Sequence, residues 1–186
     1  ERALLRTCDG VVISAWMNLK EMKRAEGSGW GGDEDQFRQW VLPTYVCRSL
    51  DDGKTWEAPI KINTPWCGCI HSMIETSGGR IVLAAQEVIP AWRHATYAFV
   101  SDDTGKAWEK SNILDIGTGR HDHAGSIEGT LVELTDGSVY QLLRTETGYL
   151  YEAASKDGGL TWEDFEGSGI RSVTCCAQLY RLADGQ

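Results

Sequence analysis

An all-β fold of repeated antiparallel sheets is predicted by three features of this 186-residue chain. First, one eight-residue turn occurs three times: Ser49-Leu50-Asp51-Asp52-Gly53-Lys54-Thr55-Trp56, Ser101-Asp102-Asp103-Thr104-Gly105-Lys106-Ala107-Trp108 and Ser155-Lys156-Asp157-Gly158-Gly159-Leu160-Thr161-Trp162. Second, the copies start 52 and 54 residues apart, a period that suits propeller blades. Third, short β-rich runs bounded by glycine recur at the same spacing. A complete propeller has roughly 4–8 blades of four strands. At this period the 186 residues hold about three and a half blades, so the expectation is a fragment of a longer, six-bladed ring.

The shared pattern is Ser-x-Asp-x-Gly-x-Thr-Trp, and each position has a physical task. The Asp carboxylate accepts from backbone N–H groups in an Asx-type turn. The Gly two residues on takes a positive φ without Cβ strain. The Ser and Thr hydroxyls satisfy further backbone groups, and the Trp buries its ring against the neighbouring layer. Ala107 replaces Thr in the second copy, so that turn should lack one hydroxyl contact. These turns staple hairpins and are expected to lie away from any ligand.

The strands follow in order. Asp9-Gly10 precedes Val11–Trp16, Gly78-Gly79 precedes Arg80–Ala85, Asp136-Gly137 precedes Ser138–Leu143, and Asp184-Gly185 announces a fourth. A second strand leads into each repeated turn: Thr44–Arg48, Ala95–Val100 and Tyr149–Ala154. The units are expected at about 9–66, 67–122 and 123–175, with the next starting at 176–186. The polar, Gly-rich insertion Lys20–Gln39 separates the first two strands, and a long loop on a rigid scaffold is a favoured place for function.

No run of 18 apolar residues is present, so no membrane-spanning segment is expected. A net charge of −9 argues against nucleic acid and anionic membranes as main partners. The six cysteines, at 8, 47, 67, 69, 175 and 176, lack zinc-site spacing. They read as small buried hydrophobes, with one or two disulfides open if the protein is exported. A secreted or periplasmic setting is favoured.

The chemically richest stretch is His121-Asp122-His123-Ala124-Gly125-Ser126-Ile127-Glu128-Gly129, followed by an apolar strand, a turn and a second strand ending at Arg144. Adjacent strands should present Glu128 and Arg144 at one end, either as a site or as a buried pair tying the strands. Glu133 reads as solvated or structural. His71 precedes a strand at a position analogous to Glu128 one blade earlier, and His94 reads as a loop residue. His121, Asp122 and His123 lack a third element with ligand spacing, so no metal is expected.

The repeated turns resemble the Asp-box, or bacterial neuraminidase repeat, of the sialidase superfamily. That resemblance implies a sialidase-like β-propeller and an exo-glycosidase acting on terminal sialic acid or a related acidic sugar, without a cofactor. It implies Glu128 as base toward a tyrosine nucleophile, and Arg144 as one of three arginines holding the sugar carboxylate. It gives Asp35, or second Asp33, as general acid/base, and matches Arg24 to an arginine preceding that Asp. The tyrosine and the third arginine are expected beyond Gln186, and the opening arginine motif of the family is not seen at Glu1–Leu5. A tyrosine suits this substrate because a carboxylate nucleophile would be repelled by it. Two further readings stay open: a propeller lyase or other glycosidase on uronate-rich polysaccharide using His71 and His123 as substrate-site residues, and a non-catalytic glycan- or protein-binding propeller.

Overall fold

Twelve strands form three four-stranded antiparallel sheets among the described residues (2–26, 35–36, 39–90, 92–119 and 123–182) of this computed structural model. The first sheet comprises β1 (Arg2–Arg6), β2 (Val12–Met17), β3 (Val41–Ser49) and β4 (Ile60–Pro65). The second comprises β5 (Cys67–Glu75), β6 (Ile81–Ile89), β7 (Arg93–Ser101) and β8 (Glu109–Lys110). The third comprises β9 (Ile127–Glu133), β10 (Val139–Arg144), β11 (Tyr149–Ser155) and β12 (Glu163–Arg171). Each sheet is a simple meander. The first strands pack side by side, β1 against β5 and β5 against β9, so the sheets are successive blades of an all-β propeller. A strand therefore precedes every Gly-bounded turn, and the first sheet starts at Arg2, ahead of Asp9-Gly10. The expected fourth Asp-Gly turn lies outside the described residues.

Both faces of the middle blade are buried, which is why β6 and β7 read as nearly continuous apolar runs rather than as alternating ones. Ile81, Leu83, Ala85, Tyr97 and Phe99 face the first blade and pack with Ile13, Ala15, Val46 and Ile70. The intervening Val82, Ala84, Ala98 and Val100 face the third blade and pack with Leu131, Val139, Leu143 and Trp162. The period-2 alternation of a strand thus divides one sequence between two cores.

The three repeated turns share their hydrogen bonds. Ser49, Ser101 and Ser155 each donate through Oγ to the Asp51, Asp103 or Asp157 carboxylate and accept from the N–H of Gly53, Gly105 or Gly159. Each carboxylate also accepts from the backbone N–H four residues on, at Thr55, Ala107 or Thr161. Thr55 Oγ1 adds a bond of 2.7 Å to Asp51, a contact that Ala107 cannot make. These hydrogen bonds hold the Asp51 carboxyl at a pKa of about 2, with Thr55 the largest contributor.

The strand registers Val12↔Ser49, Ile81↔Ser101 and Val139↔Ser155 place these turns at the rim opposite the start of β9. Their tryptophans differ. Trp162 is buried and Trp108 half-buried, but Trp56 is 44% exposed. The second and third turns pack on the preceding blade: a Cβ on Gly105 would stand 3.0 Å from Ile13, and one on Gly159 would stand 2.8 Å from Val82. No described blade precedes the first, so the Trp56 ring lacks the layer it was expected to meet.

Polar side chains cross each seam in register. Glu75 at the end of β5 accepts from the Cys8 N–H at 2.6 Å. Glu133 at the end of β9 accepts from the N–H and Oγ of Ser77, both at 2.8 Å, which gives that residue its structural role. Arg48 and Arg80 donate to the Thr104 and Asp157 carbonyls in the turn of the next blade. All six cysteines are free. Cys67 and Cys69 are buried as expected, Cys47 is half-buried, and Cys8, Cys175 and Cys176 are exposed instead. Among the described residues no helix is long and apolar enough to cross a membrane.

Two outcomes follow. Leu83→Ala, at a position with no solvent exposure, should lower unfolding free energy by about 2–5 kcal/mol in urea titration. Because the folded-state pKa of Asp51 is depressed, its contribution is present above the unfolded value of about 3.9 and is lost as pH falls through about 2. The stability gap between the protein and Asp51→Asn should therefore shrink progressively below pH 4, a trend that chemical denaturation at several pH values would measure.

Candidate active site

Strand direction gathers the connections β2–β3, β4–β5, β6–β7 and β8–β9 at one rim, together with the end of β10. At this rim β9 carries a bulge. Arg144 pairs with Ile127 and Leu142 with Thr130, so Glu128 and Gly129 together oppose Leu143. A two-against-one bulge re-aims side chains near a sheet end. Glu128 takes φ +52°, a left-handed conformation that costs an L-residue about 1–2 kcal/mol. Gly129 follows because a Cβ there would come within 2.0 Å of the buried Gln141 amide.

The bulge brings Glu128 onto Arg144. Arg144 Nη1 donates to both Glu128 carboxylate oxygens, at 3.0 and 3.1 Å, with side-chain exposures of 15% and 20%. Arg144 Nε is buried without a hydrogen-bond partner among the described residues. Among the described residues the side-chain hydrogen bonds of Arg144 use Nη1 alone, and a guanidinium carries a second NH2 group that can meet a further carboxylate.

The approach to the bulge is fixed by the neighbouring blade. His94 N–H donates to Ala124 O at 2.9 Å, and Ser126 N–H donates to His94 O at 3.2 Å. Ser126 Oγ accepts from Thr96 N–H and donates to Leu114 O. A Cβ on Gly125, whose φ is +93°, would lie 1.9 Å from His94 O, so only glycine permits this approach.

Other candidate residues fall in varied places. Arg24 lies in the β2–β3 connection, with its guanidinium carbon 4.9 Å from the ring centroids of both Trp40 and Trp66. Those rings belong to a buried cluster with Trp92, Leu42 and Val88, and a cation over indole faces is attracted by the ring quadrupole. Asp35 is exposed in the same connection, and its backbone carbonyl accepts from the Gln39 side chain. No described hydrogen bond or ion pair joins it to Glu128 or Arg144. Asp33, His121 and Asp122 lie outside the described residues. His123 is exposed just ahead of the buried 124–127 segment. Among the described residues no cluster of His, Cys, Asp and Glu could hold a metal.

Two histidine expectations are corrected. In β5, Cys67 pairs with Glu87 and Ile70 with Ala85, the same two-against-one count as in β9, so by register the counterpart of Glu128 is Gly68. His71 lies three residues further along. His94 is not in a loop but begins the β7 ladder and is 5% exposed. Its Nδ1 lies 3.0 Å from Gln86 Nε2, and Gln86 Oε1 accepts from the Glu128 N–H at 2.9 Å. A lone glutamine at the end of the apolar run Ile81–Ala85 was the available signal. Arg93, also at this rim, is committed to Asp115 by bonds of 2.7 and 2.6 Å, which lower the Asp115 pKa.

Comparison with known proteins agrees with the blade architecture. The BNR repeat-like domain matches residues 29–186. A protein described as a sialidase from Bacteroides fragilis (strain YCH46) is 28% identical over 180 residues, covering 90% of this chain and 31% of the relative. The chain thus spans about a third of that relative's length. A protein of unknown function from Dyadobacter fermentans DSM 18053 superposes with TM-score 0.70 at 23% identity, covering 98% of this chain and 54% of the other. The Hadza microbial sialidase Hz136 superposes with TM-score 0.66 at 22% identity, covering 94% and 35%. Repeat, blade architecture and sequence match converge, and the chain belongs to the BNR repeat-like family of the sialidase superfamily.

Proposed function

We propose that this chain forms part of a sialidase-like exo-glycosidase that hydrolyses a terminal sialic acid or a related acidic sugar from a glycan. The observation that carries this reading is the half-buried Glu128–Arg144 pair, held at a propeller rim by a bulge. A carboxylate beside a guanidinium that meets it through one nitrogen alone suits a substrate that carries its own carboxylate. The relatives described as sialidases supply the reaction class.

In this reading Arg144 keeps Nη1 on Glu128 and offers Nη2 to the sugar carboxylate. Glu128 draws the proton from a phenol supplied outside this chain, which makes that oxygen nucleophilic while leaving it neutral at rest. Sialidases differ in this way from glycosidases that use two carboxylates. Asp35, with Asp33 as the alternative, donates a proton to the departing glycosidic oxygen. Arg24, fixed over Trp40 and Trp66, adds positive charge at the same rim.

Turnover of a fluorogenic sialoside by the full-length protein tests the reading. Glu128→Gln keeps the shape but cannot take a proton, so kcat should fall by about 100-fold or more. Arg144→Lys retains the charge but not the fork, and should raise KM about tenfold or more. A well-folded protein without sialoside turnover would overturn the proposal.

A further inference from the structure

We propose that Gln86, a residue of the second blade, is a positioning residue that holds Glu128 of the third blade in its left-handed bulge conformation. The functional consequence rests on the reading of Glu128 as a proton acceptor. The conformational claim rests on geometry alone.

A bulge removes its residues from the strand ladder, so the Glu128 N–H has no carbonyl opposite it. That N–H points across the seam to Gln86 Oε1 at 2.9 Å. Gln86 is only 4% exposed, and a buried donor without an acceptor is disfavoured. The glutamine amide is itself oriented. With Oε1 committed to Glu128, Nε2 faces His94 Nδ1 at 3.0 Å, and that ring nitrogen acts as the acceptor. His94 in turn grips the segment 124–126 through its backbone. One buried His–Gln pair thus fixes both the approach to the bulge and the bulge itself.

Space for this pair is made at Gly68. A Cβ there would stand 2.6 Å from Gln86 Nε2 and 2.7 Å from His94 Cε1. Gly68 occupies in β5 the bulge position that Glu128 occupies in β9. At this register position the second blade thus has no side chain, and the room is taken by the amide that meets Glu128.

The test uses the full-length protein with Gln86→Leu, Gln86→Glu and Gly68→Ala. Hydrogen exchange at the Glu128 amide reports the contact directly, and sialoside kinetics report its consequence. Gln86→Leu removes the acceptor, and should deprotect the Glu128 amide and lower kcat by about 10–100-fold with KM changed less than threefold. Gln86→Glu restores an acceptor oxygen and should recover most of the protection and of kcat. Gly68→Ala should reproduce the leucine defect from the opposite side, and it keeps the claim testable should the leucine variant fail to fold. Glu128 amide protection and kcat that survive in both Gln86→Leu and Gly68→Ala would overturn the proposal. Absence of turnover in the unaltered protein would sink the sialidase reading alone, and amide exchange would still decide the role of Gln86.

Discussion

The rim of this propeller depends on one close backbone approach, that of Gly125 to His94 across the seam between the second and third blades. The bridge of 2.9 and 3.2 Å hydrogen bonds leaves no room for any side chain at position 125. Where the chain enters β9, it is therefore registered to β7 before it joins its own sheet. The bulge at Glu128–Gly129 then falls beside Gln86, and the carboxylate falls on Arg144. A displacement of the 124–126 segment would move all of these groups together.

The seams elsewhere use a repeated vocabulary. A glutamate at the end of an inner strand accepts from the preceding blade's hairpin turn, as Glu75 does at Cys8 and Glu133 at Ser77. An arginine donates to a carbonyl in the following blade's repeated turn, as Arg48 and Arg80 do. Repeat proteins are held by such nearest-neighbour terms. Exposed ion pairs contribute little by themselves, so the apolar faces of β6 and β7 carry most of the stabilisation, and the polar ties fix register. The site arises where one seam departs from the pattern, with Gly68 in one blade and Glu128 in the next at the same bulge position.

The twin use of β6 explains a feature of the composition. A strand buried on both faces has no solvent side to mark with polar residues, so Ile81–Ala85 is uniformly apolar and Gln86 stands out. A buried glutamine has two donors and one acceptor oxygen to satisfy. Here one donor meets a ring nitrogen on its own sheet and the oxygen meets an N–H from the next blade, a division that ties the two blades chemically as well as by packing.

The repeated turn, its period, the second and third strands of every blade and the proximity of Glu128 to Arg144 were legible in the sequence. All of these are local or follow from period-2 strands joined by short turns. The inner strand β1 was missed because Arg2–Arg6 is short and charged at both ends, and the Asp9-Gly10 turn after it reads as opening the unit. His71 was misplaced against Glu128 because the sequence points to a strand only after it, whereas β5 already begins at Cys67, where Cys67-Gly68-Cys69 carries no strand pattern. His94 and the Trp40–Trp66 seat of Arg24 could not be read at all, and Gln86 showed only as a polar break ending an apolar run, since their contacts join residues far apart in the chain. The sequence by itself determined the blades, because turn chemistry and strand periodicity act over a few residues. The tertiary structure alone decided which polar groups meet at the rim, because that is set by the stacking of one blade on the next.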